Sequence, residues 1–257
     1  MGIRKAYLHD IKAMSLVWSE AINSINLNAI ENTFNLFIKL GECLVIDESQ
    51  GIIATSCFIP YVNSSWIGNV GVSKNYQRRG YGRKLMIELL NRIRTSVTGL
   101  DATEAGFPLY RELGFREVYN TVIYNISEVG EQEVNVGDRL ERWMLELDKE
   151  AFGDDRSLLL QELVMSGGKV ISLREGFGII YQNVLGPLIA TDEEIAERLI
   201  RGSVRLGTRT IITLEDKGKF LADIGGKKTQ YGCIRMMRGK EIGNKKLLWS
   251  IFRWAFG

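Results

Sequence analysis

A single histidine, His9, serves all 257 residues, and that scarcity removes whole classes of chemistry. A Ser-His-Asp or Cys-His arrangement has one base to draw on, and no G-x-S-x-G nucleophile elbow occurs. His9 stands just before an apolar-periodic segment, where a role at a helix start is expected. Zinc is poorly served too: Cys43, Cys57 and Cys233 are isolated and form no C-x-x-C pair. All three are expected to be reduced packing residues, with no bound metal. No run of about 18 apolar residues occurs, and the first residues lack the pattern of a secretory leader, so the expected setting is the cytoplasm, with no membrane partner. Net charge is only +2, which withholds the broad basic field of a general nucleic-acid binder.

What the chain does have is concentrated at VGVSKNYQRRGYGRKLMIELLNRI, residues 70–93. The residues before Ser73 are apolar or small, as a buried strand requires, whereas Leu85, Met86, Leu89, Leu90 and Ile93 recur at helical spacing. Where such a strand gives way to a helix, the first helical N–H groups lack partners and point at whatever precedes them. Gly80 and Gly82 keep side chains out of that space. From Lys74 to Arg94 there are seven Lys or Arg residues against one acidic residue, Glu88. The local surplus suits a multiply phosphorylated ligand. The spacing is not that of a P-loop, and no G-x-G-x-x-G follows a strand.

The ordered run Gln77, Arg78, Arg79, Gly80, Tyr81, Gly82 resembles the Q/R-x-x-G-x-G/A signature of the GCN5-related N-acetyltransferases. LDATEAGFPLYRELGF, residues 100–115, resembles that family's next block: a strand, a short helix carrying a tyrosine, and a Gly-Phe opening the following strand. The resemblance implies an α+β fold with a central, mostly antiparallel sheet, and acetyl-CoA wedged between strands ending near Val72 and Thr103. Val70, Gly71 and Val72 would bond its pantetheine arm, and Gln77 to Arg83 its pyrophosphate. Thr103 stands where the family often has a pantetheine-binding asparagine. Tyr110 matches the family's general acid, next to the departing thiolate. The alternative is a core tyrosine with its hydroxyl at the surface.

The family also commonly places a carboxylate base on the strand Trp66 to Val72, and none is present. Asp101 and Glu104 are the nearest carboxylates in sequence, and Asp101 is the candidate base, although it could simply orient the strand; the base could also come from the second domain, or the acceptor could arrive neutral. The expected activity is acetyl transfer from acetyl-CoA to a primary amine of a small molecule, by direct attack. A CoA-binding sensor that has lost turnover, and an enzyme acting on protein or RNA, are the other readings.

Around this block, strands are expected at Ile3–Leu8, Cys43–Asp47, Ile52–Ile59, Val97–Thr103 and Phe115–Ile126, with helices over His9–Ile22, Leu27–Leu40 and Ala105–Leu113. Polar, glycine-bearing residues 130–138 place a boundary between an acetyltransferase domain, 1–129, and a smaller α/β domain, 130–257, that lacks a second Q-x-x-G-x-G. Removal of everything after Ser127 is expected to spare cofactor binding. In the second domain, Thr191 and Glu194 have capping-box spacing, and strands are expected at Lys169–Leu173, Ile179–Gln182, Thr210–Leu214 and Tyr231–Met236. Looser resemblance of LDKEAFGDDRSLLL to two-domain members leaves Asp148, Asp155 and Arg156 as either acceptor-pocket residues or helix caps and an ion pair. Oligomeric state cannot be read from the chain.

Overall fold

The computed structural model describes residues 2–22 and 26–257. The first half runs β1 (Gly2–Lys5), α1 (Ile11–Ile22), α2 (Leu27–Leu40), β2 (Glu42–Glu48), β3 (Gly51–Pro60), β4 (Ser64–Val72), α3 (Tyr81–Arg92), β5 (Val97–Ala102), α4 (Phe107–Glu112) and β6 (Arg116–Asn125). The second repeats the rhythm: β7 (Asn135–Gly137), α5 (Arg142–Phe152), α6 (Ser157–Met165), β8 (Lys169–Leu173), β9 (Gly176–Tyr181), β10 (Val184–Ala190), α7 (Glu193–Arg205), β11 (Thr210–Leu214), α8 (Gly218–Asp223), β12 (Lys227–Arg238) and β13 (Leu248–Ser250). Helices cover both faces of the sheet, so β3 is buried without interruption from Ile53 to Ile59 instead of alternating.

The strands form one sheet in the order β1-β2-β3-β4-β5-β12-β6-β11-β10-β9-β8-β7, with β13 beside β10. Pairing is antiparallel except at β4/β5 and β10/β11. The two halves exchange strands. β12 of the second half lies between β5 and β6 of the first, and β6 lies between β11 and β12. The polypeptide does pass from one half to the other near residues 126–134, but the sheet does not divide there. The expectation that the first half could lose the second and still bind cofactor is therefore corrected: the cut would remove the strand that joins β5 to β6.

One apolar cluster, on the face carrying α1, α2, α5 and α6, runs through both halves and includes Met14, Phe34, Phe37, Trp66, Phe152, Leu160, Phe252 and Phe256. Fully burying each such side chain contributes about 1.5–3 kcal/mol as an upper bound. On the opposite face the halves keep separate clusters, one under α3 and α4 and one under α7 and α8.

Polar groups tie the halves as well. Asp154 accepts hydrogen bonds from Asn63 N at 2.8 Å, Ser64 N at 2.7 Å and Ser64 Oγ at 2.7 Å. Burial opposes its charge, yet these bonds from Ser64 and Asn63 hold the carboxyl below the usual range. Arg156 donates to both oxygens of Asp148, at 2.9 and 2.8 Å, and Asp155 accepts from Ser157 N at 3.0 Å. An ion pair and a cap are thus the roles of these three residues.

Two expectations from the sequence are corrected. Cys43 and Cys57 are not separate thiols: they face each other across β2 and β3 as a buried disulfide, leaving Cys233 as the free cysteine. The cap of α7 is Asp192, whose side chain accepts from Ile195 N at 2.9 Å, one position after the expected Thr191. Among the described residues no helix is long and apolar enough to cross a membrane.

Candidate active site

β4 and β5 run parallel from Ser64↔Val97 to Ile67↔Leu100 and then part. The cause lies in β4, where Asn69 occupies a bulge opposite Ser56 with φ of 51°. An extra residue bends and twists the strand that carries it. Beyond the bulge, Gly71 and Val72 pair with β3, and Val70, Gly71 and Val72 have no partner on β5. Gly71 lies directly under α1, since a Cβ there would sit 3.1 Å from the Trp18 ring. Neither amide atom of Asn69 has a hydrogen-bond partner among the described residues, although the side chain is buried.

The strand ends at a loop that turns into α3. Gly80 caps the helix with φ of 83° and has no atom within 4 Å of where a Cβ would stand. Lys84 N is the first α3 amide bonded back, to Gly80 O at 3.0 Å. The N–H groups of the first turn of α3 have no partner within the helix, as at any helix start. Such a row of free amides at a helix start is an anion cradle. Gln77 braces it from below, its side-chain amide donating to Val72 O at 3.0 Å. Arg78, Arg79 and Arg83 are exposed around the rim; Arg79 lies over the Tyr76 ring at 5.6 Å and Arg83 stands 3.9 Å from Glu112. These residues fit a CoA pyrophosphate in shape and charge.

Glu20, which the sequence gave no reason to single out, holds the same loop from α1. It accepts from Ser73 Oγ at 2.7 Å and Lys74 N at 3.2 Å. The helix that borders the cleft and the phosphate loop are thereby tied together.

Tyr110 on α4 is brought to the other side of the gap. Its ring is buried against Phe115, and it packs so closely on Gly106 that a Cβ there would be 2.8 Å from Cε2. Its hydroxyl has no hydrogen-bond partner among the described residues. Burial pushes the phenol well above its ordinary pKa, and the neighbouring Cys233 thiol acts in the same direction. Thr103 is placed differently from the family pattern. It is exposed, and its hydroxyl accepts from Gly106 N at 3.3 Å, which makes it part of the turn into α4.

Asp101 does not stand free beside the gap. Both of its oxygens are engaged by Arg235 of β12, at 3.0 and 2.8 Å, with the carboxylate fully buried. Arg235 also donates to Tyr119 Oη at 2.8 Å and lies 4.5 Å from the centre of the Trp66 ring. Burial raises the Asp101 pKa against the opposing pull of Arg235. A carboxylate with both oxygens committed to a buried guanidinium is an ion-pair partner, so the expectation of a base at Asp101 is corrected. Arg235 is 134 residues away in the chain, and no local signal could have paired them.

The second half has the matching pair, β10 and β11, but its gap is filled. β13 pairs with β10, and Ile251 bridges to Ile212 of β11. At the start of α7, Asp192, Glu193 and Glu194 stand where α3 has its arginines and glycines. The Asp192 side chain already occupies an amide, and the three carboxylates oppose an incoming phosphate. Among the described residues there is therefore one such cleft.

A parallel strand pair opened by a bulge, leading to a glycine-capped anion cradle, is the architecture of an acyl-CoA-dependent transferase. Comparison with known proteins agrees. Two models of the acetyltransferase (GNAT) domain match, one over residues 39–117 and the other over 144–247. A structure from Pyrococcus horikoshii described as an acetyltransferase superposes with a TM-score of 0.94 at 30% identity, covering 100% of this chain and 95% of that one. YitH of Bacillus subtilis, an uncharacterized N-acetyltransferase, is 29% identical over 152 residues, which is 52% of this chain and 54% of the relative. This match thus spans about half the length of that curated protein. A GCN5-related N-acetyltransferase from Sphaerobacter thermophilus shares the fold, with a TM-score of 0.61 at 13% identity over 95% of this chain and 96% of that one. The chain belongs to the GNAT acetyltransferase family and carries two GNAT-like domains. It is an N-acetyltransferase, of a family that uses acetyl-CoA.

Proposed function

We propose that the protein transfers the acetyl group of acetyl-CoA to a primary amine of a small molecule, by direct attack in the β4/β5 cleft of the first half. One observation carries the reading. The unpaired edge of Val70, Gly71 and Val72 leads, through the loop that ends at Gly80, to the first-turn amides of α3, as a pantetheine arm ending in a pyrophosphate requires. When bound, acetyl-CoA supplies the activated acetyl thioester. A backbone amide near Val72 is the donor for the charge that grows on the carbonyl oxygen.

Tyr110 then acts on the sulfur side. An ordinary phenol, with pKa of about 10, is already a weaker acid than a thiol at about 8.5, and each unit of mismatch costs about 1.4 kcal/mol. Burial widens the mismatch, so Tyr110 steadies the departing thiolate by a charge-assisted hydrogen bond more than by full proton transfer. Asp101 is committed to Arg235 and Glu20 to Ser73 and Lys74, so neither carboxylate is free to take the amine's proton. The amine therefore reacts from its neutral form, losing its proton to water.

Calorimetric titration with acetyl-CoA and CoA, followed by thiol release against a broad amine panel, tests this. Binding with one site per chain and thiol release is the expected result. Binding without release from any amine would favour a CoA-binding sensor, and no binding by folded protein would remove the reading.

A further inference from the structure

We propose that Asn69 holds the acceptor amine against the thioester, its Oδ1 accepting one of the amine's N–H groups. The proposal rests on the transferase reading above. β4 makes its last pair with β5 at Ile67↔Leu100, and Asn69 follows Gly68 on the stretch that β5 has left. Along residues 66–72 it carries the one side chain able to accept a hydrogen bond. The residue is 4% exposed, and neither Oδ1 nor Nδ2 has a partner among the described residues. A buried amide with both ends unbonded costs free energy in the empty protein, and that cost is removed when a ligand completes it.

The bulge decides which side of the strand is left to this residue. Gly68 lies against Ala255 and Phe37, whereas Val70 packs in the cluster under α3. Two residues that a regular strand turns to one face are thus on opposite faces, and the alternation skips Asn69. Ser56, its neighbour across the bulge in β3, keeps a buried hydroxyl that is also unbonded. The two side chains do not bond each other, so β3 does not engage the amide. The other side of β4 at this point is the one that β5 has left open.

Backbone conformation alone does not account for the amide, because φ of 51° suits glycine better than asparagine. The reaction does account for it. A neutral primary amine attacks through its lone pair and keeps two N–H groups. As the C–N bond forms and the C–S bond breaks, the electron pair leaves on sulfur and the nitrogen becomes positive. Its hydrogen bond to Oδ1 then gains charge assistance and is strongest in the transition state. One N–H stays on Oδ1 and becomes the amide N–H of the product, while the other proton passes to water. A secondary amine has one N–H and cannot do both, so the arrangement selects primary amines.

The test is thiol release from saturating acetyl-CoA by the wild type, Asn69→Gly and Asn69→Asp, with the uncatalysed rate subtracted. Hydroxylamine is the probe, being uncharged at neutral pH and small enough to need no fitted acceptor pocket; if it is silent and another primary amine of the panel turns over, the three proteins are compared on that amine. Glycine keeps the bulge and removes the amide, whereas aspartate keeps an acceptor oxygen. Asn69→Gly should therefore lower kcat/KM for the amine by about 10- to 100-fold, the worth of a hydrogen bond to a group that gains charge. Asn69→Asp should retain more activity than Asn69→Gly, and acetyl-CoA affinity by calorimetry should be unchanged in both. A purely conformational role predicts the reverse order, glycine being the easiest residue at this φ. If Asn69→Asp does not fold, the Asn69 side-chain amide resonances, identified by their absence from Asn69→Gly, should move when hydroxylamine is added to the CoA-bound wild type. Wild-type rates in Asn69→Gly, the reverse order, weakened acetyl-CoA binding or unmoved resonances overturn the proposal alone. Silence of the wild type on hydroxylamine and the whole panel overturns the transferase reading with it.

Discussion

Replacing Asp101 by asparagine should weaken the fold and leave the chemistry nearly intact. The carboxylate is fully buried and bonded twice to Arg235, so removing its charge strands a guanidinium inside the protein. Breaking such a pair from one side costs about 3–5 kcal/mol. Arg235 keeps its bond to Tyr119 and its place over the Trp66 ring, and asparagine can still accept one hydrogen bond, which brings the net loss to roughly 2–4 kcal/mol. For a chain of this size that corresponds to a fall in Tm of roughly 4–16 °C. Asp101→Leu with Arg235→Met should recover much of it, because apolar residues of similar volume often replace a buried pair at little cost. Scanning calorimetry of the single and double variants measures this, with kcat taken well below the unfolding transition. An unchanged Tm with kcat reduced by about 100-fold or more would restore Asp101 as a base and refute the argument.

Three other outcomes are expected. Tyr110→Phe should lower kcat by about 10- to 100-fold, the worth of a hydrogen bond to a charged group, with acetyl-CoA affinity unchanged. Because burial raises the phenol's pKa, its proton stays in place through neutral and moderately alkaline pH; kcat/KM should rise with pH along the acceptor amine's own titration, and a limb that ignores a change of acceptor would reveal an enzyme base. Gly80→Val, which puts a branched side chain at φ of 83° in the anion cradle, should abolish measurable acetyl-CoA binding in calorimetry while the far-UV spectrum of the exposed loop's host fold persists. A fragment of residues 1–129 should lack cooperative unfolding, since it loses β12 from between β5 and β6; a cooperative, cofactor-binding fragment would contradict the strand exchange.

The cofactor cleft was the most legible part of the chain because its signals are local. Strand apolarity, two glycines, a run of cations and the helical period of α3 all fall within residues 70–93, and each follows from backbone geometry that neighbouring residues impose. The lack of a second Q-x-x-G-x-G was legible for the same reason, whereas the capping of α7 by Asp192 emerged only from the structure. β7 and β13 are each three residues long, too short to leave a period, and were not anticipated.

By itself, then, the sequence determined the kinds of element, the mixed α/β class, the glycine-bearing loop before α3 and the position of Tyr110. The tertiary structure alone decided which strands are neighbours. Antiparallel and parallel ladders pair main-chain groups, which every residue carries, so nothing in β12 announces that it will settle between β5 and β6. From that pairing follows the burial of Asp101 against Arg235; the covalent partner of Cys43 follows from the pairing of β2 with β3, and residues 252–256 return to the shared core. Each depends on groups distant in the chain, whose charge and shape become matched only once the shared core has closed.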